Sequence, residues 1–294
     1  MRIFLTGATG FIGSAIVSEL IAAGHQVVGL TRSDAGAKAL LAAGAEVYRG
    51  DLDDPQSLRE GAANSDGVIH TAFDHDFSNF VANCDKDRRV IEVLGDALPG
   101  TDRPLLITSG TGMGSKGPSQ PASEDHFDFD NPNPRKASEL AGVAAAERGV
   151  NVLVVRLPQV HDPVKQGLIS PLIAVAREKG QSAYVGDGGN RWPAVHVLDA
   201  ARLYRLAIEK QESGARYHAV AEEGIAARDI AETIGRGLNV PVVSLSEAEA
   251  GEHFGWLAPF VSWDLPASSA ITREKLNWQP TGPGLIADLE QIQG

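Results

Sequence analysis

Along the first half of the chain, short runs of aliphatic and β-branched residues alternate with longer stretches whose apolar positions recur every three or four residues. The short runs predict strands at 2–6, 26–31, 45–49, 67–72, 103–108 and 150–156. The longer stretches predict helices at about 11–23, 35–43, 55–63, 78–98 and 135–148. Gly24 and Pro99-Gly100 fall where two of those helices should stop. Such regular alternation gives a parallel sheet covered by helices on both faces, an α/β doubly wound fold of Rossmann type. After Arg156 the rhythm loosens. Helical patterns at about 167–179, 197–210, 227–237 and 285–292 mix with short strands near 182–185, 215–220 and 242–245, as expected of a smaller α/β lobe. The expected division is a main domain over 1–160, completed by segments near 190–220, and an interwoven substrate-binding lobe over 161–294.

The junction of the first strand and first helix reads Thr6-Gly7-Ala8-Thr9-Gly10-Phe11-Ile12-Gly13. Three glycines at spacings of three, between an apolar strand and a helix, suit a dinucleotide phosphate loop. Gly7 permits the tight turn, Gly10 lets backbone approach a pyrophosphate, and Gly13 allows close helix packing. The helix N-terminus then offers oriented N–H donors to the anion. Thr9, Phe11 and Ile12 complete the loop and the first helical turn.

Later strand ends extend this reading. Thr31-Arg32-Ser33 stands where an NAD-preferring protein usually places an acid for the ribose hydroxyls. Arg32 could instead pair with a 2′-phosphate, so the expected cofactor leans to NADP over NAD. In Asp51-Leu52-Asp53-Asp54 the first acid is placed to accept from the adenine amino group, and Asp53 or Asp54 to cap the next helix. The fourth strand runs into Thr71, Ala72 and Phe73, where small residues let backbone lie against the cofactor. The stretch Gly110 to Pro134, rich in Gly, Ser, Pro and Asp, is long enough to border an active site.

Composition narrows the setting. A net charge of −12 without a basic cluster excludes a nucleic-acid partner. No apolar run approaches the roughly 20 residues that cross a bilayer, so no membrane role is expected. One cysteine, Cys84, cannot form an internal disulfide, and nothing before the first strand reads as a signal peptide, which points to a cytoplasmic protein. Eight histidines without close ligand pairing argue against a metal site. No Gly-x-Ser-x-Gly elbow follows a strand, which removes a serine hydrolase.

Taken together, TGATGFIG at 6–13, DLDD at 51–54, VIHTA at 68–72, ITSGTG at 107–112, VRLPQVHDP at 155–163 and the run Trp192 to Ala201 resemble the short-chain dehydrogenase/reductase superfamily. The likeness is to its extended branch of NAD-dependent epimerases and dehydratases, and it covers nearly the whole chain. The resemblance implies that Ser109 occupies the catalytic Ser/Thr position, with Thr111 as the near-register rival. It also implies that Pro158 shapes the chain past the nicotinamide, and that the long helices at 78–98 and 135–148 could pair two subunits as a homodimer.

One part of the family pattern is missing. The general acid should be a tyrosine followed four residues later by a lysine; counting back from Glu139, those positions hold Asn131 and Arg135, and a shift of one gives Pro132 and Lys136. Tyr48, Tyr184, Tyr204 and Tyr217 all stand elsewhere. An amide cannot exchange a proton near neutral pH, and a guanidinium stays charged, so Arg135 can hold a ribose or stabilise charge but not relay protons. The substitute donors are Asp125, His126, Asp128 and Asp130 on the long loop, and His161 after the sixth strand. His161 is preferred because imidazole titrates nearest to neutrality. His196 and Asp199 should build the boundary between the lobes, and Trp256, Phe260 and Trp263 either form an apolar wall that suits a partly aromatic small-molecule substrate or belong to the core.

The expected function is therefore an NAD(P)-dependent oxidoreductase acting on a small carbonyl, alcohol or related compound through an unconventional proton donor. Two alternatives stand beside it: a cofactor-bound sensor or scaffold without catalysis, motivated by the missing tyrosine, and an epimerase or dehydratase using transient oxidation.

Overall fold

The computed structural model describes residues 1–117 and 120–292; Pro118 and Ser119, inside the long loop, lie outside the described residues. Strands β1 (Arg2–Thr6), β2 (Gln26–Thr31), β3 (Glu46–Arg49), β4 (Gly67–His70), β5 (Pro104–Gly110) and β6 (Asn151–Leu157) come first. They alternate with helices α1 (Phe11–Ala22), α2 (Asp34–Ala42), α3 (Pro55–Ala63), α4 (Phe80–Gly95) and α5 (Lys136–Glu147). The second half carries β7 (Gln159–His161), α6 (Ile169–Lys179), β8 (Ser182–Val185), β9 (Arg191–His196), α7 (Val197–Lys210), β10 (Arg216–His218), β11 (Glu222–Ala226), α8 (Ala227–Leu238) and β12 (Val242–Leu245). It ends with α9 (Glu247–Phe254), α10 (Ala258–Val261), α11 (Ala270–Leu276) and α12 (Leu285–Leu289).

Among the described residues, seven parallel strands form the main sheet in the order β10-β6-β5-β4-β1-β2-β3. The order turns back between β1 and β4, and that switch point opens a crevice beyond the carboxyl ends of the strands. One face is packed by α1 and α7 over Ile3, Leu5, Ile16, Leu20, Leu203 and Tyr204. The other is packed by α3, α4 and α5 over Phe4, Leu58, Ile91, Leu94, Leu105 and Ala145. Strands buried on both sides read as unbroken apolar runs, which is why β1 and β6 stand out in the sequence.

Several boundaries differ from the sequence pattern. β5 runs two residues beyond the expected end, so Ser109 and Gly110 are its last strand residues, paired with Arg156 and Leu157. The segment expected as a helix from residue 78 opens with a 3-10 turn, Phe77–Asn79, whose start is capped by Asp76. β9 pairs with β7 and β11 in a three-stranded sheet that the pattern did not suggest, because Pro193 sits in its middle. A proline cannot donate to a ladder, and β11 breaks register between Glu222 and Ile225, opposite it.

The long loop is tied down rather than loose. Ala122 bridges the chain at Ala267, Glu124 accepts from the backbone and hydroxyl of Thr272 at 2.8 Å, and the Ser123 carbonyl accepts from Arg156 at 3.1 Å. Arg156 is fully buried and forms a two-pronged pair with Glu139 at 2.7 and 2.9 Å, and Arg216 adds a third bond to the same carboxylate. Burial works against a charged carboxylate, but the two arginines outweigh it and hold Glu139 below its ordinary value. Glu139→Ala should leave the buried Arg156 charge unpaired, lowering stability by roughly 3 kcal/mol and Tm by about 5–10 °C. Calorimetry checks this, and Glu139→Gln should lose less.

Candidate active site

The crevice is built on the glycine loop. Gly7 takes φ +72°, and a Cβ there would lie 2.7 Å from both the Ala72 nitrogen and the Thr71 hydroxyl. A Cβ on Gly13 would stand 2.0 Å from the Gly7 carbonyl oxygen. The first turn of α1 is thus drawn against the end of β1 as only glycine permits. Gly10 caps α1 without a side chain, and no acid sits in the first turn, so the positive end of the helix is left to an outside anion. Thr71 fixes the neighbouring strand end by donating to the Thr6 carbonyl at 2.8 Å. Phe11 and Ile12 are half-buried against the core, and the Lys165 ammonium lies 5.6 Å over the Phe11 ring.

At the far end of β2, Thr9, Thr31 and Ser33 crowd around Gly36, where an added Cβ would meet all three. Ser33 caps α2 by accepting from the Gly36 nitrogen at 3.0 Å. Arg32 is 73% exposed and only loosely paired with Asp51 at 3.6 Å; Arg49 donates to its carbonyl and pairs with Asp34. Asp51 accepts from the Asp53 nitrogen at 3.0 Å, Asp54 caps α3, and Leu52 packs partly into the core. The edge therefore presents two guanidinium groups, one of them largely open to solvent.

The other side of the crevice is organised by a carboxylate missing from the sequence expectations. Asp87, on α4, is buried and accepts from Arg135 at 2.6 Å, from Ser138 at 2.6 Å and from His70 at 2.9 Å. His70 in turn meets the Thr6 hydroxyl at 2.6 Å. Burial alone would raise the Asp87 carboxyl, but the Arg135 charge and the His70 and Ser138 hydrogen bonds prevail and hold it at about 2. Arg135 also donates to the Thr108 carbonyl at 3.0 Å, and its guanidinium lies 4.1 Å over the Phe73 ring.

That network places the expected residues. Ser109, Thr111, Asn131 and Arg135 converge on the end of β5: Arg135 binds the carbonyl beside Ser109, and Asn131 reaches the Gly112 carbonyl at 3.5 Å. Thr111 opens the turn Thr111–Gly114. Ser109 is 3% exposed, and its hydroxyl finds no partner among the described residues. A buried hydroxyl left unpaired calls for an explanation, and a ligand oxygen would supply one. Tyr204 approaches from the other face of the strand, its hydroxyl 2.7 Å from that of Thr108. It is fully buried, and that burial pushes its pKa up, so it offers no proton near neutrality.

His161 is not brought into this cluster. It is fully buried on β7, bonded through Nδ1 to Asp288 at 2.7 Å and edge-on to His196, and burial lowers its pKa. Pro158 joins β6 to β7. On the long loop, Asp125 is tied to Ser123 and Lys116, and Asp128 accepts from the Asp130 backbone. Asp199 accepts from the Thr281 and Gly282 backbone. Trp256, Phe260 and Trp263 do form a connected wall, and it reaches the loop after β4: Phe77 stacks on Trp256 at 4.8 Å and meets Phe260 at 5.8 Å. Sequence reasoning missed Asp87, Ser138 and the loop residues 74–77 that follow Phe73. The only local signal was polarity on the buried side of α4.

A sequence profile of the NAD dependent epimerase/dehydratase family matches residues 3–221. The chain belongs to that family. It is 49% identical to an uncharacterized protein of Schizosaccharomyces pombe and 45% identical to one of Saccharomyces cerevisiae, in each case over 98% of both chains. Among solved structures it shares its fold with a dTDP-glucose 4,6-dehydratase from Streptomyces venezuelae that has NAD and TYD bound. That likeness has a TM-score of 0.79 at 18% identity, covering 99% of this chain and 95% of the other. The family likeness noted in the sequence therefore holds, as does the α/β Rossmann-type architecture. No described helix is long and apolar enough to cross a membrane.

Asp87 gives this family member a pH signature. Its folded-state pKa lies below the unfolded value, so the unfolded chain binds the proton more readily. The contribution is complete above about pH 4 and is lost as pH falls towards 2. Asp87→Asn should remove about 2 kcal/mol of stability at neutral pH and flatten the acid limb of the stability profile, read by urea unfolding at several pH values.

Proposed function

We propose that the protein is an NAD(P)-dependent oxidoreductase that interconverts a carbonyl and an alcohol on a small organic substrate. The observation that carries this reading is the unpartnered Ser109 hydroxyl at the end of β5, next to Arg135 and Asn131 and across the crevice from the glycine loop. Gly7, Gly10 and Gly13 with the start of α1 would hold the diphosphate, Thr71 to Phe73 would lie along the cofactor, and Arg135 would face its nicotinamide ribose. When bound, the cofactor supplies or accepts the hydride. The protein's own groups bind and orient: Ser109 donates to the substrate oxygen, and the Arg135 charge, fixed by Asp87, favours negative charge developing nearby.

NADP is the preferred form in this reading, because Arg32 stands 73% exposed at the end of β2 with Arg49 beside it, as a 2′-phosphate requires. Asn131 in place of a tyrosine favours a second reading, cofactor binding without turnover.

Two measurements test these statements. Oxidation of NADPH against a panel of aldehydes and ketones should reveal turnover, and Ser109→Ala should lower kcat at least tenfold. Absence of turnover on every member, with cofactor still bound, would leave the non-catalytic reading in its place. By calorimetry, Arg32→Ala should weaken NADP binding about tenfold and leave NAD binding unchanged, as expected for one charge-assisted bond lost to the extra phosphate.

A further inference from the structure

Reduction of a carbonyl needs a proton as well as a hydride, and the residues around Arg135 narrow its source. Asn131 has no proton to exchange, Tyr204 is sealed behind β5, and His161 is fully buried, with Nδ1 on Asp288 and Nε2 without a hydrogen-bond partner among the described residues. His75 is a titratable group joined to Arg135 from an exposed segment. His75 lies on the exposed loop after β4, its ring edge-on to Phe73 at 5.4 Å and to Phe77 at 6.2 Å. The other partner of the Phe73 ring is the Arg135 guanidinium. His75 thus shares one aromatic ring with the group that holds the end of β5. Three charged groups act on it: Arg135 from the start of α5, Lys165 from the loop after β7, and Asp74 from its own loop. Lys165 in turn stands over Phe11 in the glycine loop.

We propose that the imidazole of His75 is the proton donor to the substrate oxygen, taking the duty that the absent tyrosine leaves open. The assignment rests on the oxidoreductase reading above. In the reduction, hydride from the reduced nicotinamide forms a C–H bond at the carbonyl carbon as the C=O π bond breaks. The electron pair left on oxygen takes the proton of the His75 imidazolium. Alcohol, oxidised cofactor and neutral imidazole result, and solvent restores the proton at this surface residue. The reverse reaction uses the neutral ring as base. Desolvation, then Arg135 and Lys165, hold the free histidine below its ordinary 6.5, outweighing the Phe73 backbone and Asp74. The acid form of the free protein is therefore lost as pH rises through a midpoint below 6.5, and reduction slows with it. A bound diphosphate would offset the two cations and move the midpoint upward.

The test uses the full chain and two readouts. In NMR titrations, the imidazole signal absent from His75→Gln should titrate below 6.5 and shift to a higher midpoint when NADP is added. A signal blind to the cofactor overturns the proposal, whatever the activity. In kinetics with NADPH and the best aldehyde of the panel, His75→Gln should lower kcat about 100-fold, leave the KM for NADPH within about threefold, and abolish the alkaline fall of kcat/KM. A kcat within threefold of the parent also overturns it while leaving the oxidoreductase reading intact. Failure of the parent protein on every aldehyde and ketone removes both.

Discussion

A carboxylate with almost no access to water is expensive to keep charged, and Asp87 remains so only because donors from three directions close on it. His70 comes from the end of β4, Ser138 from the first turn of α5, and Arg135 from the residue just before that helix. The cluster sets the height at which α5 starts relative to the sheet, since Arg135 must also reach the Thr108 carbonyl on β5. Once the guanidinium is fixed there, its free face lies on Phe73, and the loop after β4 takes its direction from that contact. The crevice wall is in this sense a consequence of one buried charge.

The same constraint explains what could and could not be read from the residue order. The glycine loop is legible because its demands are local: a positive φ at Gly7 and a 2.0 Å conflict for any Cβ at Gly13 act within seven residues. The strands of the main sheet are legible for a similar reason, each being an apolar run with turn residues at its ends. Asp87, by contrast, means nothing until α4 is laid beside β4 and α5, because its partners stand 17, 48 and 51 positions away. His161 shows the opposite case. Its place after the sixth strand suggests a reactive imidazole, and only the packing of α12 shows that Asp288 closes over it. Pro193 hid β9 because the bulge that tolerates it belongs to another strand.

Replacing a lysine by an arginine at the start of α5 is not a neutral exchange. A guanidinium presents a planar fork, and here it satisfies a carboxylate, a hydroxyl and a backbone carbonyl at once. So many fixed bonds leave it a rigid positive charge with no proton to relay. Asn131 spends its side chain on the Gly112 carbonyl and the Asn133 nitrogen, stabilising its own turn. Arg135 and Asn131 thus give this end of the crevice polar groups held in fixed hydrogen bonds.

The loop after β4 is joined to the second half of the chain mainly through rings, with Phe77 stacked 13° from parallel on Trp256 and set edge-on to Phe260. Ring contacts of this kind are worth about 1 kcal/mol each and carry no directional bond, so they can slide or part without stranding a polar group. Trp256 and Trp263 remain 47% and 41% exposed, which leaves apolar surface for a substrate to cover. An incoming molecule that displaces Phe77 from Trp256 would move the same short segment that carries His75. The apolar wall and His75 are in this way joined through three residues of chain, while the opposite side of the crevice is held by glycine, helix and buried charge.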